Sequence, residues 1–146
     1  MKIIFLPNDK VIINQIAYML QDGFGGDPGF YRERLKCDLE NKLIPFTMIA
    51  LDEDQIVGTA GTYINWGDEN FGPWFGRLYA LPHYRKKGIA KILFEAISNQ
   101  CKELGYSIIY LHTPSQENLY KKWGWQMIKK IERNNKVESL MKFALN

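Results

Sequence analysis

The chain is poor in the residues that carry much of protein chemistry. Only two cysteines, Cys37 and Cys101, occur among 146 residues, and two histidines, His83 and His112. The cysteines lie far apart and make no metal-binding pattern. Neither has a histidine or other activating group beside it in sequence, which argues against a nucleophilic thiol. Idle thiols of a cytoplasmic protein are the simplest account. No apolar run approaches the roughly 20 residues of a membrane span. The first residues, Met1 to Pro7, are apolar but have no small-residue cleavage site, so they read as a strand and not as a signal peptide. There is no repeat, low-complexity tract or linker. The length therefore predicts one domain over residues 1–146 with a full core. Lys and Arg are missing altogether from Leu43 to Gly76.

What is present fits a globular protein, with 46% apolar and 14% aromatic residues. The net charge of +3 says little about partners, but its distribution says more. Met1 to Gly76 holds six basic and eleven acidic residues; Arg77 to Asn146 holds thirteen basic and five acidic. A polyanionic cofactor suits the second half and a cationic amine the first. Chance grouping of surface charge is the alternative.

Periodicity and punctuation divide the chain. Lys2–Leu6 reads as an edge or near-edge strand. Asp9 caps a helix over about 11–21, with Ile12, Ile16, Met19 and Leu20 inward. Asp22 to Phe30 has four glycines and a proline and reads as a loop. A second helix is expected over 31–39. Strands are expected over 45–51 and 55–64, joined by the turn Asp52-Glu53-Asp54. Gly58 and Gly61 inside the second of these mark a bulge or close packing. A polar loop, Asn65 to Asn70, precedes the apolar strand Trp74–Ala80. A helix over about 87–104 and a strand over 107–111 then make a right-handed parallel crossover with it. A short helix over 116–123, capped by Thr113 or Ser115, ends at Gly124. Strands over 125–131 and 137–145 close the chain as a hairpin around Asn134-Asn135.

The chain is organised around Leu81-Pro82-His83-Tyr84-Arg85-Lys86-Lys87-Gly88-Ile89-Ala90-Lys91. A strand leads into a turn with three consecutive cations, then glycine, then a helix start. The first N–H groups of a helix lack partners within it and carry the positive end of its dipole. A phosphate placed there accepts several of them at once. Gly88 keeps the backbone approachable, and Arg85, Lys86, Lys87 and Lys91 add charge. An ordinary strand-to-helix turn with a solvated basic cluster is the competing reading.

Arg85-x-x-Gly88-x-Ala90, following Leu78-Tyr79-Ala80-Leu81-Pro82, resembles motif A of the GNAT N-acetyltransferase superfamily. Asn118-Leu119-Tyr120-Lys121-Lys122-Trp123-Gly124-Trp125 is similar to that family's motif B. The order and spacing of the two fit, and the likeness extends over essentially the whole chain. The resemblance implies an α/β (α+β) fold: a mixed, mostly antiparallel sheet of six or seven strands, a splayed central parallel pair and about four helices. It also implies acetyl-CoA as co-substrate, held at its pyrophosphate by residues 85–91, including Ile89 and Ala90. No metal is expected. The cofactor's arm would bond the free backbone of Leu78, Tyr79 and Ala80, with Asn118 and Tyr120 beside it. The Tyr79 N–H would polarise the thioester carbonyl.

By the same resemblance Tyr120 protonates the departing thiolate; a phenol of pKa about 10 is protonated at neutral pH. The loop between the first two helices lines the acceptor side, which nominates Phe24, Asp27, Phe30 and Tyr31. Many family members carry a glutamate on or before the central strand, but none stands between Asp54 and Asp68 here. Glu69 and Asp68, acting directly or through water, and His112 are the candidate bases; His83 reads as a surface residue. Water-relayed removal of the proton ranks first. The expected activity is acetyl transfer to a primary amine, on a small cationic molecule or a peptide, by a monomer or homodimer. The alternative is a non-catalytic module binding coenzyme A, or binding nucleic acid through Lys121, Lys122, Lys129, Lys130 and Arg133 with Trp123 and Trp125 between them.

Overall fold

A computed structural model describes residues 1–39, 42–64 and 70–146. The elements are β1 (Lys2–Phe5), α1 (Lys10–Phe24), α2 (Pro28–Lys36), β2 (Thr47–Asp52), β3 (Gln55–Tyr63), β4 (Trp74–Ala80), α3 (Ile89–Glu103), β5 (Ile108–Thr113), α4 (Glu117–Lys122), β6 (Gln126–Arg133) and β7 (Lys136–Ala144). The strands form one sheet in the order β1-β2-β3-β4-β5-β7-β6, with β1 at an edge. Every neighbouring pair is antiparallel except β4–β5, which is parallel. The expected architecture is therefore present: a mixed sheet of seven strands, with four helices among the described residues.

Each face of the sheet has its own core. On one, α3 and α4 cover Phe46, Val57, Phe75, Leu93, Phe94, Trp125 and Met141. On the other, α1 and α2 cover Leu6, Ile16, Leu20, Leu35, Ile49, Ile56 and Tyr79. Alternation along β3 explains the split, since Ile56 and Val57 point to opposite faces. Burying each such aliphatic side chain stabilises the fold by roughly 1.5–3 kcal/mol.

Two helix starts follow one rule. Asp9 accepts from the N–H groups of Val11 and Ile12, and Asp27 from that of Gly29 at 2.8 Å. The second cap corrects the sequence reading. Asp27 followed by Pro28 opens α2 at Pro28, three residues before the expected start, because proline suits the first helical position. α1 likewise runs on to Phe24, so the expected long loop shrinks to a turn around Gly25 and Gly26. Gly58 has both of the roles foreseen for it. The β2–β3 register shifts beside it, and a Cβ there would stand 3.0 Å from the Tyr79 carbonyl and 3.1 Å from Ile89 Cγ2 and Leu93 Cδ1. Its bare backbone lets the first turn of α3 lie against the sheet.

Candidate active site

β4 and β5 share a single register pair, Trp74 with Tyr110. One further bond, from the Tyr110 N–H to the Pro73 carbonyl at 3.0 Å, closes this end. Past it the strands part, so the rest of β4 lacks a ladder partner on its β5 side. On its other side β4 stays paired with β3, but with an extra residue: Gly76 faces Gly61 and Tyr79 faces Thr59. Arg77 takes up the bulge in the left-handed region, at φ 51°.

The bulge decides which backbone groups face the gap. The Leu81 N–H donates to the Val57 carbonyl on β3. Alternation then turns Tyr79 toward β3 as well, and Leu78 and Ala80 toward the gap. The expected contribution of Tyr79's backbone is thus corrected: its groups belong to the β3 ladder. Its side chain crosses to the α1 side, where the hydroxyl donates to Asp22. The Ala80 carbonyl accepts from Arg85 Nε at 3.0 Å, as expected of a group facing the gap.

From β4 the chain passes through a short 3₁₀ turn, Pro82–Tyr84, to Gly88 at φ 82°. The first intrahelical bond of α3 runs from the Ile92 N–H to the Gly88 carbonyl, so the N–H groups of Ile89, Ala90 and Lys91 lie ahead of the ladder. Unlike α1 and α2, α3 has no side-chain cap. Nothing stands within 4 Å of where a Gly88 Cβ would be, so the helix end opens on free space. Lys86, Lys87 and Lys91 are exposed around it, with Lys87 Nζ 5.2 Å from the Tyr84 ring. Arg85 is turned back instead, its guanidinium 5.4 Å from the Tyr79 ring. An uncapped helix N-terminus ringed by lysines fits a diphosphate.

Tyr120 lies in α4 on the α3 face of the sheet. Its ring meets Phe75 of β4 at 6.5 Å between centroids, and Trp123 and Trp125 at 5.5 and 5.9 Å. Burial pushes its phenol up to about 12, so it keeps its proton throughout the neutral range. Thr113 Oγ1 accepts from the Gln116 N–H and starts this helix; Asn118 on it is exposed. Of the two tryptophans weighed for a nucleic-acid surface, Trp125 is in the core and Trp123 stacks on Phe94.

His112, on β5, lies on the other face with its ring 4.4 Å from that of Trp74. Its Nδ1 is 2.5 Å from Arg133 Nη1. A guanidinium only donates, so Nδ1 accepts and that lone pair is engaged. Asp68 and Glu69 lie outside the described residues. Of the four acceptor-side candidates, Asp27 and Tyr31 hold the α1–α2 turn: Asp27 as the cap of α2, Tyr31 by donating to the Gly25 carbonyl at 2.7 Å. Phe24 and Phe30 remain 55% and 62% exposed, available for contact.

Residues 13–125 match the acetyltransferase (GNAT) family. The chain belongs to that family. No curated protein matches it by sequence. Among solved structures, this GNAT chain is similar to an aminoglycoside 6'-N-acetyltransferase complexed with coenzyme A, at TM-score 0.84 and 18% identity, over 100% of this chain and 98% of that one. It is also similar to a ribosomal-protein-alanine N-acetyltransferase from Brucella melitensis, at TM-score 0.79 and 13% identity over 99% of each chain. A Salmonella typhimurium protein solved with its cofactor acetyl-CoA aligns at TM-score 0.73 and 12% identity, over 100% of this chain and 95% of that one. At such identities the likeness establishes the fold. Among the described residues of this GNAT chain no helix is long and apolar enough to cross a membrane, and no group of metal-ligating side chains occurs.

Sequence reasoning missed Asp22, Asp38 and Arg77. Asp22 falls in the expected loop but sits on the last turn of α1. Asp38 is 1% exposed and accepts from Thr47 Oγ1 at 2.7 Å. Burial raises its carboxyl above the usual range, partly offset by the Thr47 bond and by Arg77 and Arg34. Arg77 alone carried a signal: a lone cation inside an apolar strand.

Proposed function

We propose that this chain transfers an acetyl group from acetyl-CoA to a primary amine, by direct attack in a ternary complex. One observation carries the reading: the β4–β5 gap runs from the Trp74–Tyr110 pair toward the uncapped start of α3. A thioester arm and a diphosphate need just such a slot and anion site in series.

The N–H groups of Ile89, Ala90 and Lys91 hold the diphosphate, with Lys86, Lys87 and Lys91 supplying charge. Leu78 and Ala80 offer backbone bonds to the arm. The Leu78 N–H, not that of Tyr79, stabilises the oxyanion that forms as the amine nitrogen attacks the carbonyl carbon. As the C–S bond breaks, Tyr120 gives its proton to the thiolate from the α3 face. The amine approaches from the α1–α2 face, past Phe24 and Phe30, and loses its proton through water to the carboxylate of Asp68 or Glu69, which acts as base.

Calorimetry with coenzyme A, and release of free thiol from acetyl-CoA over a panel of amines, test this directly. Micromolar affinity and amine-dependent thiol release are expected. Absence of both overturns the assignment.

A further inference from the structure

A cavity of about 250 Å³ opens on the α1–α2 face, lined by Arg34, Cys37, Asp38, Pro45, Tyr63, Ile64 and Arg77. Below it runs a row of residues across the sheet: Thr47 pairs with Gly61, and Gly61 with Gly76. Gly76 is two residues, about 7 Å of strand, from the Trp74–Tyr110 pair where the gap begins. Arg77 lines the cavity and belongs to β4, the strand that borders the gap, so the cavity adjoins the gap on the face opposite Tyr120.

Its charge is unusual for a place an ammonium must approach. The Arg77 guanidinium lies 4.1 Å from the centre of the Tyr63 ring. Its Nη1 is buried and has no hydrogen-bond partner among the described residues. No ion pair among the described residues includes Arg34, Asp38 or Arg77. Burial lowers Arg77 to about 10, against a longer-range pull from Asp38. Arg34 is exposed at the rim. Asp38, the one acid lining the cavity, already accepts from Thr47. A half-buried guanidinium with one nitrogen fully buried and no close counter-ion is costly to keep, and holding it on a left-handed bulge adds strain. A carboxylate entering the cavity relieves the first cost, because guanidinium and carboxylate match in planar, two-bond geometry.

We infer that this cavity receives the carboxylate of the acceptor, so that the substrate is a small amino carboxylate bearing its amine and its acid a few bonds apart. The inference rests on the acetyltransferase reading and narrows it. Arg77 holds the carboxylate from the bulge, Arg34 closes on it from α2, and the amine is left pointing at the gap. A polycation would set its remaining charges against the two arginines. The cationic acceptor suggested by the acidic first half of the chain is thereby replaced with a zwitterionic one.

The test is thiol release from acetyl-CoA with matched acceptors: free amino acids, the same amino acids as carboxamides, their decarboxylated amines, a polyamine and an aminoglycoside. The wild type is expected to prefer free amino acids by at least about tenfold in kcat/KM. Arg77→Asn, which keeps a residue tolerant of the left-handed backbone, should lose about 10- to 100-fold for the free acids, mainly through KM. It should change little for the decarboxylated amines and leave coenzyme A affinity by calorimetry as it was. Arg77→Lys should fall between. Equal or better turnover of carboxamides, polyamine or aminoglycoside overturns the inference while the enzyme assignment stands. Coenzyme A binding without turnover of any free amino acid overturns it as well. Loss of both coenzyme A binding and all thiol release instead removes the acetyltransferase reading itself.

Discussion

The Tyr79 hydroxyl donates to the Asp22 carboxylate at 2.5 Å, joining the end of β4 to the last turn of α1. Gly23 makes room for this contact, since a Cβ there would lie 2.4 Å from Tyr79 Cδ2. Burial of the ring, and then the bond to Asp22, raise the Tyr79 phenol above its ordinary value. Its contribution to stability is present in full below the unfolded phenol's pKa of about 10 and fades as pH rises beyond it. Tyr79→Phe should cost about 1 kcal/mol at pH 7, and the gap to wild type should narrow above pH ~10. Urea titrations at both pH values check this. An equal difference at both would leave the bond without its assigned role.

Gly58 is expected to be the least replaceable glycine of the sheet. In Gly58→Ala the new methyl group meets the Tyr79 carbonyl, Ile89 and Leu93 at 3.0–3.1 Å. Either α3 lifts or β4 shifts, at a cost of about 1–3 kcal/mol. Because Ile89 is the first residue of α3, the displacement should also weaken coenzyme A binding. Melting temperature and calorimetry measured together separate this from a purely structural defect, which would lower the first and spare the second.

Gly88 behaves differently, because open space surrounds it. Gly88→Glu is strained only by its φ of 82°, about 1 kcal/mol, so the fold should survive. Its carboxylate, however, would stand at the proposed diphosphate site, and coenzyme A affinity should drop at least about 100-fold. Gly88→Ala carries the same strain without the charge and should lose far less. Similar affinity in the glutamate variant and the wild type would move the phosphate site elsewhere.

These contrasts show where the sequence could be read and where it could not. The Asp9 cap and the spacing of Ile16, Met19 and Leu20 were legible because local chemistry decides them. Asp27-Pro28 held the same kind of signal, but four neighbouring glycines and their reputation as loop formers outweighed it. The Arg77 bulge had no local mark. The left-handed residue is fixed by how the β3–β4 ladder closes on either side of it, which is a tertiary fact. One extra residue in β4 reverses the direction of every backbone group beyond it, so of the three residues expected at the gap Leu78 and Ala80 face it and Tyr79 does not. The pairing of Asp38 with Thr47 spans a loop and a strand, and no periodicity encodes it.

Tyr120 offers a kinetic test. Its ring packs on Phe75, Trp123 and Trp125, and Phe keeps those contacts. Tyr120→Phe should therefore fold and bind coenzyme A normally while kcat falls about 100-fold. With the phenol near 12, Tyr120 should not produce an alkaline loss of wild-type activity below pH ~10. A pH–rate profile of both proteins decides the matter. Unchanged turnover in the variant across that range would remove Tyr120 from proton transfer.

The two cysteines should react very differently, and the difference reports on the acceptor cavity. Cys101 is fully buried in the α3 core, and burial alone pushes its thiol up to about 12. It should resist iodoacetamide until the protein unfolds. Cys37 is exposed and lines the cavity beside Arg34, Asp38 and Arg77. A carbamidomethyl group there would fill part of the space assigned to the acceptor's carboxylate. Mass spectrometry of the native protein should show one modification, at Cys37. The labelled enzyme should have a raised KM for its amine and an unaltered affinity for coenzyme A, whose proposed diphosphate site is the start of α3. Cys37→Ser should abolish the labelling effect while keeping turnover. If labelled and unlabelled enzyme share the same KM, the amine does not reach its carbonyl by way of this cavity.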